Sequence, residues 1–499
     1  MSSRVFDILD KRDPINSSST ITEADLDTIE QFIEVYPHLY WCPELASTVV
    51  LKDKVASYDE VDGDSIPFEL FAKFNAERAK WVDEQIELAK LSGDKHWVAH
   101  ALKYQKKVIK SMSSGAINSC VRLWKSLHSI SATKLNTNPK LLGTPTGVFS
   151  LDTGLTTHAY ADVLEMYEGY EDVERGENLY ITKSTRGIFD FGEDNSVRPF
   201  KPDPRWQQFI DEIMCEDKEK AGYLQRALGY SMLGGNPAEV MFVAYGASTR
   251  NGKSTLLNAV AHALGDYARA ASSEFLLQKN FASGNDLDEI ARTQGVRLLT
   301  ISEPPEGKKL DESKVKSFTG NDPIVASKKY GRTFSFVPQF TMWMMCNSLP
   351  DVKDTTVFTS GRLKVIPFDR HFAEDEQDTS LKEHFKTEWA MQTILQWLLK
   401  GYQEYQKRGL DEPASVKENS ISWQIGLGDH FRYFIDTQCE RVGEGKVKLS
   451  DFKEAYKQWC EVQGCEPLNN YQLGNKLKEL NIPKVKINGP YYLQSISLK

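Results

Sequence analysis

The stretch GASTRNGKST, Gly246 to Thr255, ends in Gly-Lys-Ser, a combination suited to holding phosphate. Gly252 lets the backbone approach closely, Lys253 supplies a point charge to β- and γ-phosphates, and the Ser254 hydroxyl is a ligand for Mg²⁺. The backbone N–H groups of Gly246, Ala247, Ser248, Thr249, Arg250, Asn251 and Gly252, with Thr255 in the following turn, would complete a cradle at a helix N-terminus. The spacing is unusual. Five residues rather than four separate Gly246 from Gly252, so Ala247 stands where the first glycine of G-x-x-x-x-G-K-[ST] would be.

The flanks decide whether such a loop is credible. EVMFVAY, Glu239 to Tyr245, is an apolar strand pattern. KSTLLNAVAHALG follows, with Leu256, Leu257, Val260 and Leu264 on one helical face and Gly265 as a stop signal. Strand, loop, helix is the setting in which the match means ATP and Mg²⁺. Hydrolysis also needs an acid at a neighbouring strand end. GVRLLTISEPPEG supplies Glu303 directly after the run Val296–Ser302, where it could polarise water or hold Mg²⁺ through water; Glu306 is a second candidate. FTMWMMC ends in Asn347, an amide able to position the attacking water or sense the γ-phosphate. SGRLKVIPF places Arg362 ahead of a fourth strand, where an arginine could stabilise transition-state charge, often in the next subunit.

Around this core the chain divides into segments. Its 499 residues suggest about three domains. Residues 1–35 are polar and acidic and are expected to pack loosely. Residues 36–235 form a mixed α+β N-terminal domain: helical from Pro67 to about His128, with Phe71, Phe74, Trp81 and Leu88 on one stripe, then hairpins in GVFSLDTG and NLYITKSTRGIFDFGED. PDPRWQQFIDEIM opens a further helical stretch to about Leu233. The ATPase spans 236–400. After a hinge at Gln424–His430, residues 425–499 read as three helices and a hairpin turned at Asn488-Gly489, a winged helix; Ser450 is the expected cap of its second helix, and Leu473, Leu477 and Leu480 form the stripe of its third.

Charge is informative only locally. Against a net −9 for the chain, the stretch from Lys446 onward carries nine lysines and five acids, and Lys476, Lys484 and Lys486 are its candidate DNA contacts. DPIVASKKYGRTFSFV reads as a hairpin with Lys328, Lys329 and Arg332 near the tip; from the residues alone, a solvated turn and a phosphate contact are equally open. Asp62 and Asp64 in VDGDS sit in turn chemistry rather than on a metal-binding strand. Seven scattered cysteines without a C-x-x-C pair give neither a zinc site nor a disulfide framework, and His96 and His100 read as an exposed helix face. No run approaches the ~18 apolar residues of a membrane helix. A soluble, cytoplasmic chain with no membrane partner is expected.

The run from Tyr245 to Phe372 resembles the superfamily-three helicase domain of phage, plasmid and poxvirus primase–helicases. The likeness is carried by TRNGKST, ISEPPEGKKLDESKVKSFTGND, ASKKYG, MCNSLPDV and SGRLKVIPFDRHF, and the phage branch shares the longer spacer. Leu141 to Leu233 resembles the domain preceding the helicase in that family, through GVFSLDTG and DPRWQQFIDEI. Gly361 departs from a second arginine common there, leaving Arg362 as the finger; Ser327 departs from an arginine before KKYG.

The resemblance implies an AAA+-type α/β ATPase assembled as a hexameric homo-oligomer, with Arg362 of one subunit meeting ATP at Lys253 and Ser254 of the next. It also implies a channel hairpin gripping single-stranded or forked DNA, and leaves room for a separate primase or polymerase as partner. The expected function is an ATP-dependent DNA helicase in the replication of a phage- or plasmid-like element, acting in the host cytoplasm if phage-encoded. Two rivals are a small-molecule kinase on the same loop and a replication initiator with a vestigial ATP site.

Overall fold

The computed structural model describes residues 21–51, 58–157, 180–189, 200–278, 284–305, 308–350, 352, 361–424, 430–442, 445–463, 467–487 and 489–499. Helix α1 (Ile21–Val35) precedes an antiparallel sheet of β1 (Leu39–Cys42), β2 (Ser47–Leu51) and β3 (Tyr58–Asp62). Helices α2 (Ser65–Ser92), α3 (Lys95–Ser111) and α4 (Ser114–Leu127) follow. Gly93 ends α2 at φ 74°, the Asp94 carboxylate accepts the first N–H groups of α3, and Ser113 caps α4.

Two expectations for this region change. Residues 21–35 are not loosely packed: Ile29, Phe32 and Val35 are buried, and the Phe32 ring lies 3.5 Å from that of Phe71. Leu88 is 49% exposed although Phe71, Phe74 and Trp81 are buried. The row Phe74, Trp81, Leu88 advances by seven residues and turns ~20° off the core per step, so the last member leaves it. Ala89, buried, takes its place.

Strands β4 (Leu141–Thr144), β5 (Gly147–Ser150) and β6 (Thr156–Thr157) form the first expected hairpin region. The second does not form among the described residues. Ile181–Phe189 is irregular chain, with Thr182 exchanging hydrogen bonds with Asn136 and the N–H groups of Arg186 and Gly187 donating to Ala263. Its backbone is satisfied by a side chain and a helix end, so it needs no partner strand. Helix α5 (Pro204–Ile213), capped by Asp203 with Pro204 in its first turn, and α6 (Lys218–Tyr230), capped by Asp217, come next.

The centre is a mixed α/β unit with a parallel sheet. Its strands are β7 (Met241–Tyr245), β8 (Ala268–Ala271), β9 (Leu298–Ile301), β12 (Thr341–Cys346) and β13 (Leu363–Pro367), ordered β13-β7-β12-β9-β8. Helix α7 (Lys253–Leu264) follows β7, α8 (Gly284–Ala291) precedes β9, and α9 (Glu312–Thr319) leads to the hairpin β10 (Ile324–Ser327) and β11 (Thr333–Phe336). Short α10 (Leu381–His384), long α11 (Glu388–Arg408) and α12 (Ala414–Gln424) complete it. Both faces of the sheet are covered, as parallel strands require. Phe242, Ala244, Trp343 and Ile366 pack with α5, α6, α7 and α11; Met241, Val243, Met342 and Met344 pack with α9 and with Cys42, Leu45 and Val49 of the N-terminal sheet.

The core therefore does not divide at 235, since α5 and α6 belong to it, and it extends past 400. Trp423 of α12 donates to Pro350 O, and Ser420 accepts from Val365 N–H. The C-terminal residues form α13 (His430–Gln438), β14 (Cys439–Glu440), β15 (Lys446–Lys448), α14 (Leu449–Gln463), α15 (Asn470–Glu479), β16 (Lys484–Lys486), β17 (Tyr491–Gln494) and β18 (Ser497–Leu498). Strand β17 pairs with both β15 and β16, and β14 with β18. Phe452, Tyr456, Trp459, Leu473 and Leu477 are buried together, and Leu480 packs against them partly exposed. Ser450 is not a cap: α14 starts at Leu449, straight out of β15, and the Ser450 hydroxyl donates to Asp451. Asn488 and residues 425–429 of the hinge lie outside the described residues. Among the described residues no helix is long and apolar enough to cross a membrane.

Candidate nucleotide site and nucleic-acid surfaces

The loop from β7 to α7 reconciles the odd spacing with a tight turn. Gly246, one place early in sequence, is the position of closest approach: a Cβ there would lie 2.1 Å from Asn251 Nδ2 and 2.8 Å from Phe368 O. Arg250 (φ 59°) and Gly252 (φ 84°) both take left-handed backbone, and the extra residue is absorbed in that turn. Gly252 also sits on α5, where a Cβ would come 2.4 Å from Ile213 Cγ2. The helix of the preceding segment thus supports the loop from below.

Lys253 is 7% exposed, and its Nζ donates to Asn347 Oδ1 and Asn251 Oδ1, each at 2.8 Å, and to Gly246 O at 3.3 Å. Burial pushes its ammonium below the ordinary lysine range, while Cys346 and Glu303 pull the other way. Asn347 makes the next link. Its backbone N–H donates to Glu303 Oε1 at 2.7 Å and its Nδ2 to Glu303 Oε2 at 3.0 Å. One amide therefore joins the lysine to the carboxylate across the ends of β7, β12 and β9. Burial raises the neighbouring Cys346 thiol to about 12, so it stays a neutral wall.

These groups open on a cavity of about 590 Å³, lined by Thr249 to Thr255, Glu303 and Asn347. That is room for a nucleotide-sized ligand. Gly246, Ala247 and Ser248 form the back of the loop rather than the lining. Residues not anticipated from the sequence close the far side: Phe209 and Glu212 of α5, Phe372, Glu376 to Thr379, and Leu381 and Lys382 of α10. The acids there are engaged, Glu376 with Arg370 and the Ala373 N–H, Asp378 with Arg205 and Ser380. No motif covers residues 376–382, which reach the cavity through the packing around α10.

Ser254 and Glu303 line the same cavity, and among the described residues no cluster of three His, Cys, Asp or Glu could hold a metal alone. A hydroxyl, a carboxylate and the ligand's own phosphate oxygens make a donor set suited to Mg²⁺, which retains waters and seldom uses an all-protein cage. Glu306 lies outside the described residues.

Arg362 is not brought to this cavity. Its carbonyl accepts from Met241 N–H at the start of β7, about 16 Å from the loop at ~3.3 Å per residue. Its guanidinium donates to Thr319 Oγ1 at 2.7 Å and pairs with Glu239 at 2.5 Å. In its own chain it belongs to the opposite sheet edge.

The hairpin forms as expected, but its lysines are not equivalent. Lys328 is 12% exposed in its side chain and pairs with Asp62 at 2.5 Å and Glu60 at 3.6 Å on β3, which corrects the expectation of a free cation at the tip. Asp64 pairs separately with Lys125, and Gly63 between the two acids turns at φ 77°, in keeping with a turn. Lys329 and Arg332 are exposed. On the C-terminal hairpin, Lys484 and Lys486 are exposed and flank Tyr491, with Nζ atoms 4.2 and 5.8 Å from its ring centre. Lys476 lies in the last turn of α15.

Parts of the chain are similar to known proteins. A family described as "D5 N terminal like" matches residues 71–215, and a family of unknown function (DUF5906) matches 244–362. The helicase-named protein L207/L206 of Acanthamoeba polyphaga mimivirus is 26% identical over 376 residues, covering 71% of this chain and 36% of its own length. The helicase-named 022R of Frog virus 3 is 24% identical over 273 residues, covering 51% of this chain and 27% of its own. The chain thus spans about a third of the length of such relatives. Among solved structures, the C-terminal region of NrS-1 aligns over 72% of this chain and 96% of its own at 10% identity, with a TM-score of only 0.36. The class these matches define is that of viral proteins with a D5 N-terminal-like segment, here over residues 71–215. Within it, the chain is similar to helicase-named viral proteins.

Proposed function

We propose that the chain is the ATP-driven motor of a DNA helicase serving replication of a virus- or phage-like element. The observation that carries this reading is the hydrogen-bonded line Lys253–Asn347–Glu303 across three neighbouring strand ends, over a cavity walled by the glycine-containing loop. In this reading Lys253 and the first N–H groups of α7 hold the phosphates, and the cavity excludes bulk water. Glu303 accepts a proton from the attacking water, and Asn347 holds Glu303 until Lys253 is drawn to phosphate. Ser254, with Glu303 through water, would hold Mg²⁺, which supplies charge neutralisation on the phosphates when bound.

The order β13-β7-β12-β9-β8 supports an AAA+-type phosphate-loop ATPase as the core, and the three C-terminal helices with the β15-β17-β16 sheet support a winged helix. The motor would act as a homo-oligomeric ring, a hexamer, in which Arg362 completes the site of the adjacent subunit once released from Glu239. DNA would be met by Lys329 and Arg332 on the channel hairpin and by Lys476, Lys484 and Lys486 on the wing.

The test is ATP hydrolysis by the purified full chain with and without single-stranded DNA, followed by strand displacement on tailed duplexes. Stimulation by DNA is expected. Hydrolysis indifferent to DNA would favour a kinase of a small molecule, and absence of hydrolysis a non-catalytic initiator.

A further inference from the structure

Lys328, at the hairpin tip, is the cation whose charge two carboxylates offset. Both carboxylates belong to β3, and neighbouring contacts press the hairpin against the β1–β2 turn of the same sheet. The Arg332 N–H donates to Pro43 O at 3.1 Å, and a Cβ on Gly331 would fall 2.1 Å from Glu44 O. Glu44 is itself fixed by Ser131 and the Ala132 N–H. On the other flank, Asp288 within α8 accepts the Lys329 N–H at 2.8 Å and pairs with Arg292, just past the helix, at 2.7 Å. The side chains of Lys328 and Arg292 and the carboxylates of Glu60, Asp62 and Asp288 therefore meet where the hairpin touches the N-terminal sheet.

We propose that Lys328, Lys329 and Arg292 form a seat for a phosphodiester backbone, and that Asp62 and Glu60 occupy it as internal stand-ins for phosphate. This rests on the reading of the hairpin as a DNA contact and adds Arg292, a residue no motif singles out. The burial pattern favours exchange over a permanent tie. Asp62 is 76% exposed in its side chain, Lys328 12% and Glu60 19%, so Asp62 lies over the lysine from the solvent side while Glu60 stands beneath it. Water screens the exposed Asp62 carboxylate, so its hold on Lys328 gives way readily. A polyanion gains from several phosphates and from counterion release at once, and displaces such a carboxylate. The N-terminal sheet then sets how readily the hairpin accepts DNA. Strand β3 must withdraw before Lys328 engages.

The experiment uses the full chain and a fluorescein-labelled, mixed-sequence single strand, with affinity read by anisotropy across a salt series. Glu60→Gln with Asp62→Asn should tighten binding and steepen the log–log salt slope by about one unit per released cation. Adding Lys328→Ala to that pair should remove the gain, and adding Arg292→Gln should remove part of it. Unchanged or weaker binding by the Glu60/Asp62 variant, at wild-type melting temperature, would overturn the seat and leave β3 as a support. Failure of the hairpin reading looks different: Lys329→Ala and Arg292→Gln would then leave affinity and slope unaltered in both backgrounds, while the wing variants Lys484→Ala and Lys486→Ala still lower them.

Discussion

At the C-terminal edge of the central sheet Lys253 is surrounded by neutral oxygens, from Gly246, Asn251 and Asn347. At the opposite edge Arg362 faces a carboxylate, Glu239, and a hydroxyl, Thr319. The difference is one of spent and unspent charge. Neutral acceptors orient an ammonium without cancelling its field, so Lys253, offset only by Glu303 one amide away, keeps much of its attraction for an incoming anion. A carboxylate cancels it, so Arg362 becomes available only when Glu239 lets go. Burial sharpens the contrast, because the field of Lys253 is screened least where water is least.

The largest effect is expected from removing the unspent charge. Lys253→Ala should lower kcat for ATP hydrolysis by about 10²–10³-fold or more, the scale of losing a fixed electrostatic stabiliser in a closed site. Glu303→Gln should keep nucleotide binding, measured with a fluorescent analogue, and lose turnover. Near-normal hydrolysis by Lys253→Ala would break the assignment of this edge as the chemical one.

Arg362→Ala comes next. If the arginine serves the adjacent subunit, hydrolysis should fall by ~10³-fold, as for arginine fingers elsewhere, with nucleotide binding retained. Mixing Arg362→Ala with Glu303→Gln subunits should restore some activity, since each completes an interface the other lacks. Full activity of the single variant would make Arg362 a tie within its own chain.

A smaller, pH-dependent effect follows from the lowered pKa of Lys253. Phosphate beside the ammonium favours the protonated form, so binding takes up a proton as pH nears that lowered value. Affinity should then fall with rising pH, by at most about tenfold per unit for one proton. Lys253→Arg, whose guanidinium stays charged above pH ~12, should show a flat profile. A wild-type profile as flat as that of the variant would show that burial does not perturb this lysine.

Much of the candidate site was legible in the sequence because its residues lie next to apolar strand runs. Glu303 and Asn347 each follow a run that could only be a buried strand, and parallel order brings such ends together. What was not legible depends on which elements pack side by side. Phe209, Phe372 and Lys382 come to the cavity from helices and loops with no periodic tie to the sheet. The pairing of Lys328 with Asp62 spans more than half the chain, and the charge of each residue alone reads as surface. Leu88 failed for a local reason: a seven-residue row drifts around a straight helix, so an apolar residue at the right spacing still ended in solvent.

The smallest expected effect concerns the partner of Arg362 that carries no charge. Thr319 Oγ1 accepts from Arg362 and donates to Val315 O at 2.7 Å, within a fully buried residue. Thr319→Val keeps the shape and removes one acceptor, which costs on the order of 1 kcal/mol and lowers the melting temperature by roughly 2–4 °C. If Arg362 is a structural tie, that is the whole consequence, and hydrolysis at a temperature below the transition is unchanged. If Arg362 works across an interface, loosening it in its own chain should raise DNA-stimulated turnover, and Glu239→Gln should raise it further because it removes the competing charge. We expect the rise, in the order Thr319→Val then Glu239→Gln. Equal turnover in wild type and both variants, despite the lower melting temperature, would leave the N-terminal edge of the sheet with no part in the chemistry.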